Sequence, residues 1–159
     1  MKLWQKDNST VNEIIERFTV GRDREFDLLL APHDVKGSIA HVTMLGETGL
    51  MTAEEASQAI AGLREILSDI EAGRFRIDPN VEDVHSQVEM LLTQRIGEAG
   101  KKIHSGRSRN DQVATDIKLY LKEEILQIRE EAKALFDLLI SQSEKFKDQL
   151  LPGYTHLQI

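Results

Sequence analysis

Residues 108–150, SRNDQVATDIKLYLKEEILQIREEAKALFDLLISQSEKFKDQL, run without a proline or a glycine. Within them Val113, Ile117, Leu121, Ile125, Ile128, Ala132, Leu135 and Leu139 recur at close to heptad spacing. The spacing predicts one helix of about forty residues, roughly 60 Å long at the rise of an α-helix, about twice the width of a compact domain of this size. Such a helix cannot bury itself. Leu119, Leu126, Phe136 and Ile140 form a second apolar set off the main seam, which predicts packing on more than one side, as at the centre of a multi-helix bundle. Periodicity alone leaves a two-stranded coiled coil open.

Upstream of this helix the pattern is also helical. Ile14, Ile15 and Phe18 suggest a short first helix ending near Gly21. A second runs from about Asp23 through Phe26, Leu29, Leu30, Val35 and Ile39 to Leu45, with Pro32 expected to kink or split it because proline has no N–H and its ring meets the preceding turn. Thr52 and Glu55 form a capping box, after which Ala56, Ile60, Leu63, Leu67 and Ile70 make one apolar stripe closed by Gly73. Residues 74–82 hold Pro79-Asn80 and read as a loop, and Val84, Val88, Leu91, Leu92 and Ile96 predict a further helix ending in 97–100. Sustained β-alternation occurs nowhere, so the fold class is all-α. The expected organisation is a small amino-terminal helical domain, 1–107, followed in 108–159 by the first long helix of a central bundle and a loop.

Composition narrows the function. The chain has no cysteine, which removes disulfides, thiolate zinc sites and a cysteine nucleophile together. A net charge of -7 opposes broad attraction to nucleic acid. No segment approaches the roughly 18 apolar residues of a membrane span, and the opening residues do not read as a signal peptide. The chain is therefore read as soluble and cytoplasmic, with neither nucleic acid nor membrane as partner.

Two polar segments flank the long helix. In the first, His104 to Gln112, Gly106 loosens the backbone, Ser108 suits an N-cap, and Arg107 and Arg109 are fork donors able to grip a carboxylate or phosphate at a helix N-terminus; Asn110 both donates and accepts. The same residues would serve equally as a solvated cap whose arginines pair with Asp111 and Asp116. In the second, Gly153-Tyr154-Thr155-His156-Leu157-Gln158, a glycine before the run permits a turn that aims a hydroxyl and a proton-shuttling imidazole. His156 could instead be satisfied by a backbone carbonyl. Glu82-Asp83-Val84-His85 opens its helix with acids where the dipole favours them. The five histidines are scattered, so no metal site is expected.

Both segments, in order and spacing, resemble signatures of the argininosuccinate lyases, members of the fumarase/aspartase superfamily. Glu82 to His85 and Asp34-Val35-Lys36-Gly37-Ser38-Ile39-Ala40-His41 are similar as well, so the likeness covers nearly the whole chain. It implies cleavage of argininosuccinate to arginine and fumarate by β-elimination, without a cofactor, in a homotetramer whose long helices form a central bundle and whose active sites draw on three subunits. It further implies that Ser108, Arg109 and Asn110 hold the fumarate-side carboxylates, that Thr155 binds substrate, and that His156 assists proton transfer or orients a partner. His85 and Gln158, which lie in matching segments, are added on the substrate side. Members of that family carry a glycine-rich Ser-Ser-x-Met-Pro-x-Lys loop further along, and it is not found here; the chain alone is expected to be inactive. Thr19-Val20-Gly21 and Trp4 to Asp7 depart from the usual pattern. A crystallin-like relative without turnover, another fumarate-releasing lyase and a helical module that captures acidic ligands are the competing expectations.

Overall fold

The computed structural model describes residue 18 and residues 21–158. The expected first helix, apart from Phe18, and the departures at Trp4 to Asp7 and Thr19-Val20 lie outside the described residues. Among those residues the fold is all-α: α1 (Asp23–Glu47), α2 (Ala53–Glu71), α3 (Val84–Ile96), a 3₁₀ helix (Gly97–His104) and α4 (Arg109–Phe146). The chain divides into two compact units, Met1–Tyr120 and Leu121–Ile159. The first three turns of α4 thus belong with the first unit, because Gln112 and Asp116 on them are buried there.

The start of α2 follows directly from local chemistry. Thr52 Oγ1 accepts from Glu55 N at 3.2 Å and Glu55 Oε2 accepts from Thr52 N at 3.1 Å, so two amide donors left over at the helix end are satisfied. Pro32 neither splits nor ends α1, which is continuous for 25 residues. The carbonyl it deprives of a partner is tolerated there, and packing of Ala31, Val35, Val42 and Leu45 carries the helix through.

The buried ridge of α2 differs from the expected stripe. Ala56, Ala59, Leu63 and Ile66 are buried, whereas Ile60, Leu67 and Ile70 are packed only at the edge of the core. Small residues decide this register. A Cβ placed on Gly62 would lie 2.8 Å from Leu92 Cδ1, so Ala59 and Gly62 let α3 approach closely, and size alone did not mark them as core-facing. Phe75 and Val81, in the segment read as a loop, also enter the buried set, while Phe26 and Leu29 remain largely exposed. Arg95 ties α3 to α2 through the Gly62 carbonyl and the Asp69 carboxylate.

The segment after α3, expected to end in a short break, winds into the 3₁₀ helix and buries Ile103 against the core. Gly100 is required there, since a Cβ would stand 2.7 Å from both the N and Cα of Thr93. In the second unit α4 continues with Ile125, Ile128, Leu135, Phe136, Leu139 and Ile140 all more than half exposed. Its 38 residues agree with the length predicted from the unbroken seam. No helix among the described residues is long and apolar enough to cross a membrane.

Gly100→Ala should destabilise the first unit by about 1–3 kcal/mol, because backbone rather than a flexible side chain must yield. Urea unfolding of the two proteins side by side checks it; an unchanged midpoint would mean that the 3₁₀ segment is not packed against α3.

Candidate active site

Two helix faces carry polar residues where apolar ones would be the rule. On α1, Asp34, Gly37, Ser38 and His41 share one face at helical spacing, and on the first turns of α4, Arg109, Gln112, Val113 and Asp116 do the same. Their side chains meet within the first unit. Asp34 is fully buried and accepts a short hydrogen bond from Gln112 Nε2. His85, from the first turn of α3, places Nδ1 3.0 Å from Asp34 Oδ1 and 3.5 Å from Asp116 Oδ2, out of line for a straight hydrogen bond to either. Asp34, His85 and Asp116 are exposed by no more than 3%.

Electrostatics bias the protonation of His85 and Asp116. Burial, then the charge of Asp34, push the Asp116 carboxyl up to about 7, against the pull of His85 and Arg107. Burial works against the His85 cation too, but contact with Asp34 and the charges of Asp34 and Asp83 outweigh it, and its pKa is raised. The arrangement is an imidazole whose cation is favoured by its contact with Asp34, beside a second carboxyl, Asp116, that readily takes a proton. Its ligand atoms lie within 4.8 Å of one another, close enough to share a cation. The sequence reading expected no metal; here Gln112 donates to Asp34, while Asp34 Oδ2, His85 Nδ1 and Asp116 Oδ2 make no hydrogen bond.

The loop before α4 is pinned to α1. His41 Nε2 donates to the Ser105 carbonyl at 2.8 Å, Arg107 Nη2 donates to Ser38 Oγ at 3.0 Å, and Gly106 turns at φ 72 between them. Burial holds the His41 pKa low, which suits the neutral ring. Ser108 then caps α4: its Oγ accepts from Asn110 N at 3.1 Å, and its own N–H goes to Asp111 Oδ2 at 3.1 Å. A cleft of about 320 Å³ opens beside this loop, walled by Gly37, His41, Arg107, Asp111, Thr115 and Asp116.

Arg109 is clamped rather than loose. Nη1 donates to Gln112 Oε1 at 3.2 Å, Nη2 donates to Ser86 Oγ at 3.1 Å, and Nε lies 3.4 Å from Asp83 Oδ2. Asp83 does double duty, since its Oδ1 accepts from Ser86 N at 2.7 Å as the N-cap of α3. One N–H remains on each terminal nitrogen of the guanidinium. Ser108 and Asn110 are exposed beside it, and His85 sits one layer deeper, buried against the two carboxylates. Sequence reasoning marked Arg109 and Ser108 but missed Gln112, Ser86 and Asp83 as its supports. The signal was Gln112 and Asp116 four residues apart on the face of α4 that carries Val113.

Thr155, His156 and Gln158 lie in the second unit. Thr155 N donates to Gln158 O at 2.8 Å and Gln158 N to Thr155 O at 3.0 Å, closing a two-residue turn. Its central residues, His156 and Leu157, have φ 48 and φ 62, the pattern of a type I′ turn but without the glycine or asparagine that usually occupies it. The expected pivot was Gly153, yet the left-handed residues are His156 and Leu157. Holding two side chains there costs on the order of 1–2 kcal/mol each, and it presents the imidazole and the threonine hydroxyl on an exposed loop.

The family described as "Lyase" matches residues 7–159, and the chain belongs to it. Relatives named argininosuccinate lyase from Phocaeicola vulgatus and Bacteroides thetaiotaomicron are 59% and 60% identical over 99% of this chain, and one from Desulforamulus reducens is 47% identical over 99%. The chain spans 35% of the length of the first two and 34% of the third.

The raised pKa values give a signed prediction. Asp116 binds a proton more tightly folded than unfolded, so its protonated form adds stability that is lost as pH rises from about 4 through 7; His85, also raised, contributes fully below its unfolded value and loses its share as pH rises through the higher folded one. His41 acts oppositely but more weakly, being largely solvated. The urea midpoint should therefore fall between pH 6 and pH 8, and Asp116→Asn should flatten that slope. An unaltered slope in the variant would remove Asp116 from the titration.

Proposed function

We propose that this chain is the amino-terminal part of an argininosuccinate lyase, which cleaves argininosuccinate to arginine and fumarate by β-elimination. The observation that carries the reading is the clamped Arg109 at the N-terminus of α4, with one N–H free on each terminal nitrogen, flanked by exposed Ser108 and Asn110. A guanidinium offers paired donors that suit a carboxylate, and the helix dipole adds favourable potential for an anion. Relatives bearing that name at up to 60% identity support the substrate class.

In this reading a base removes a proton from the succinyl carbon beside a carboxylate, and the electron pair spreads into that carboxylate. The guanidinium nitrogen then leaves with the bonding pair and a proton, as arginine. Arg109, Ser108 and Asn110 bind the fumarate-side carboxylates, and pre-aligned donors stabilise the charge as it grows. Thr155 binds substrate, Gln158 lies beside it, and His156 moves or directs a proton from its constrained turn. His85 acts from behind, through Asp34 and Asp116. No cofactor takes part.

The two-part organisation at 107/108 belongs to the same proposal: residues 1–107 form a helical domain, and 108–159 contribute a helix whose exposed apolar seam packs in the central bundle of a cytoplasmic homotetramer. The exposed faces of Ile125, Ile128, Leu135 and Leu139 support that use.

Fumarate release from argininosuccinate, followed by ultraviolet absorbance, tests the reading on this chain assembled with the remaining part of the Bacteroides thetaiotaomicron relative. Turnover is expected only in the assembled protein. Arg109→Ala should raise KM at least tenfold, as loss of a charged hydrogen-bonding partner would, while His156→Asn should lower kcat more than it changes KM. Release of fumarate from aspartate but not from argininosuccinate would assign a different lyase, and a correctly assembled tetramer without turnover would assign a structural role.

A further inference from the structure

We propose that Gln112 is a positioning residue for Arg109: its carboxamide couples the buried Asp34 carboxylate to the guanidinium and fixes the plane in which Arg109 faces a substrate carboxylate. The proposal rests on Arg109 contacting substrate, as argued above. Gln112 is 5% exposed and engaged at both ends, with Nε2 donating to Asp34 Oδ1 and Oε1 accepting from Arg109 Nη1. An anion at one end and a cation at the other leave the amide one orientation. Flipped, it would set its oxygen against the Asp34 carboxylate and its NH₂ against a guanidinium N–H.

The lock reaches into the core. Asp34 is fully buried on α1 and is itself held at 3.0 Å by His85 from α3. Ser86 and Asp83, both at the start of α3, engage the other nitrogens of Arg109. The guanidinium is therefore referenced to two helices at once, and Gln112 carries its link to α1. An arginine at this place without that support would keep its charge but lose its alignment, and alignment is what two parallel hydrogen bonds to a carboxylate require.

Two variants in the assembled lyase test this. Gln112→Met keeps length and burial but neither donates nor accepts; kcat/KM for argininosuccinate should fall on the order of tenfold, as for loss of a hydrogen bond to a charged group. In an Arg109→Ala background the same change should cost almost nothing further, a non-additivity that general destabilisation would not produce. Gln112→Glu provides a second reading if the methionine protein folds poorly. The introduced carboxyl, when protonated, can donate to Asp34 and still accept from Arg109; when ionised, it opposes Asp34. Asp34, Asp111 and Asp116 around that position favour the protonated carboxyl, as burial does, against the pull of His85, Arg107 and Arg109, so the activity of the Gln112→Glu protein relative to the parent should rise as pH falls from about 8.5 to about 6, the direction in which a buried carboxyl gains its proton. Additive losses with no pH-dependent rescue would overturn the positioning role while leaving Arg109 a substrate contact. If Arg109→Ala itself leaves kcat/KM unchanged, the assignment of Arg109 fails, and that of Gln112 fails with it.

Discussion

The contact between Asp34 and Gln112 is the point on which the candidate site depends. In the first unit, α1, α2, α3 and the 3₁₀ helix pack directly against one another through small and aliphatic residues, with Val35, Leu45, Leu63, Ile66 and Leu92 fully buried. The first turns of α4 join that body differently, by long polar side chains that reach into it. A fully buried carboxylate is tolerated only with partners, and here they come from two other elements, Gln112 on α4 and His85 on α3. Removing a single partner leaves an uncompensated charge in the interior, so the three helices are held to one mutual arrangement. That specificity is what the burial of such unfavourable groups secures.

From this anchor the functional geometry follows outward in steps. Asp34 orients Gln112, Gln112 and the start of α3 orient Arg109, and the loop before it is tied down by His41 and Arg107. Arg109 meets solvent with much of its freedom already removed, so in the proposed role little ordering would be left to do on binding an anion. The His156-Leu157 turn reaches the same pre-ordering by another route, holding an imidazole in a backbone conformation that neither residue prefers.

Much of this was legible in the amino-acid order, and the failures have physical causes. The capping box at Thr52 and Glu55 and the length of α4 depend on neighbours in sequence, and both were read correctly. The α2 stripe was read in part: Ala56 and Leu63 are buried and Ile60, Leu67 and Ile70 pack against the core, but Ala59 and Gly62 were missed because they are too small to count as hydrophobic anchors, although smallness is what allows α3 to come close. Phe75 and Val81 were hidden in a segment without periodicity. Polar residues of the site were recognisable as a group, but Asp34 and Gln112 are separated by 78 positions, and no local pattern says that two such residues will share one buried hydrogen bond. The turn at His156 was placed a few residues early because Gly153 offers the conformational freedom that His156 and Leu157 in fact supply.

Amide hydrogen exchange on the parent protein and on Asp34→Asn tests the anchoring directly. The account predicts faster exchange at the amides of Gln112 to Asp116 once the carboxylate is gone, with the amides of Ala56 to Ile66 in α2 retaining their protection. Equal protection of the first turns of α4 in the two proteins would contradict it, because that helix would then be held in place by something other than the buried charge.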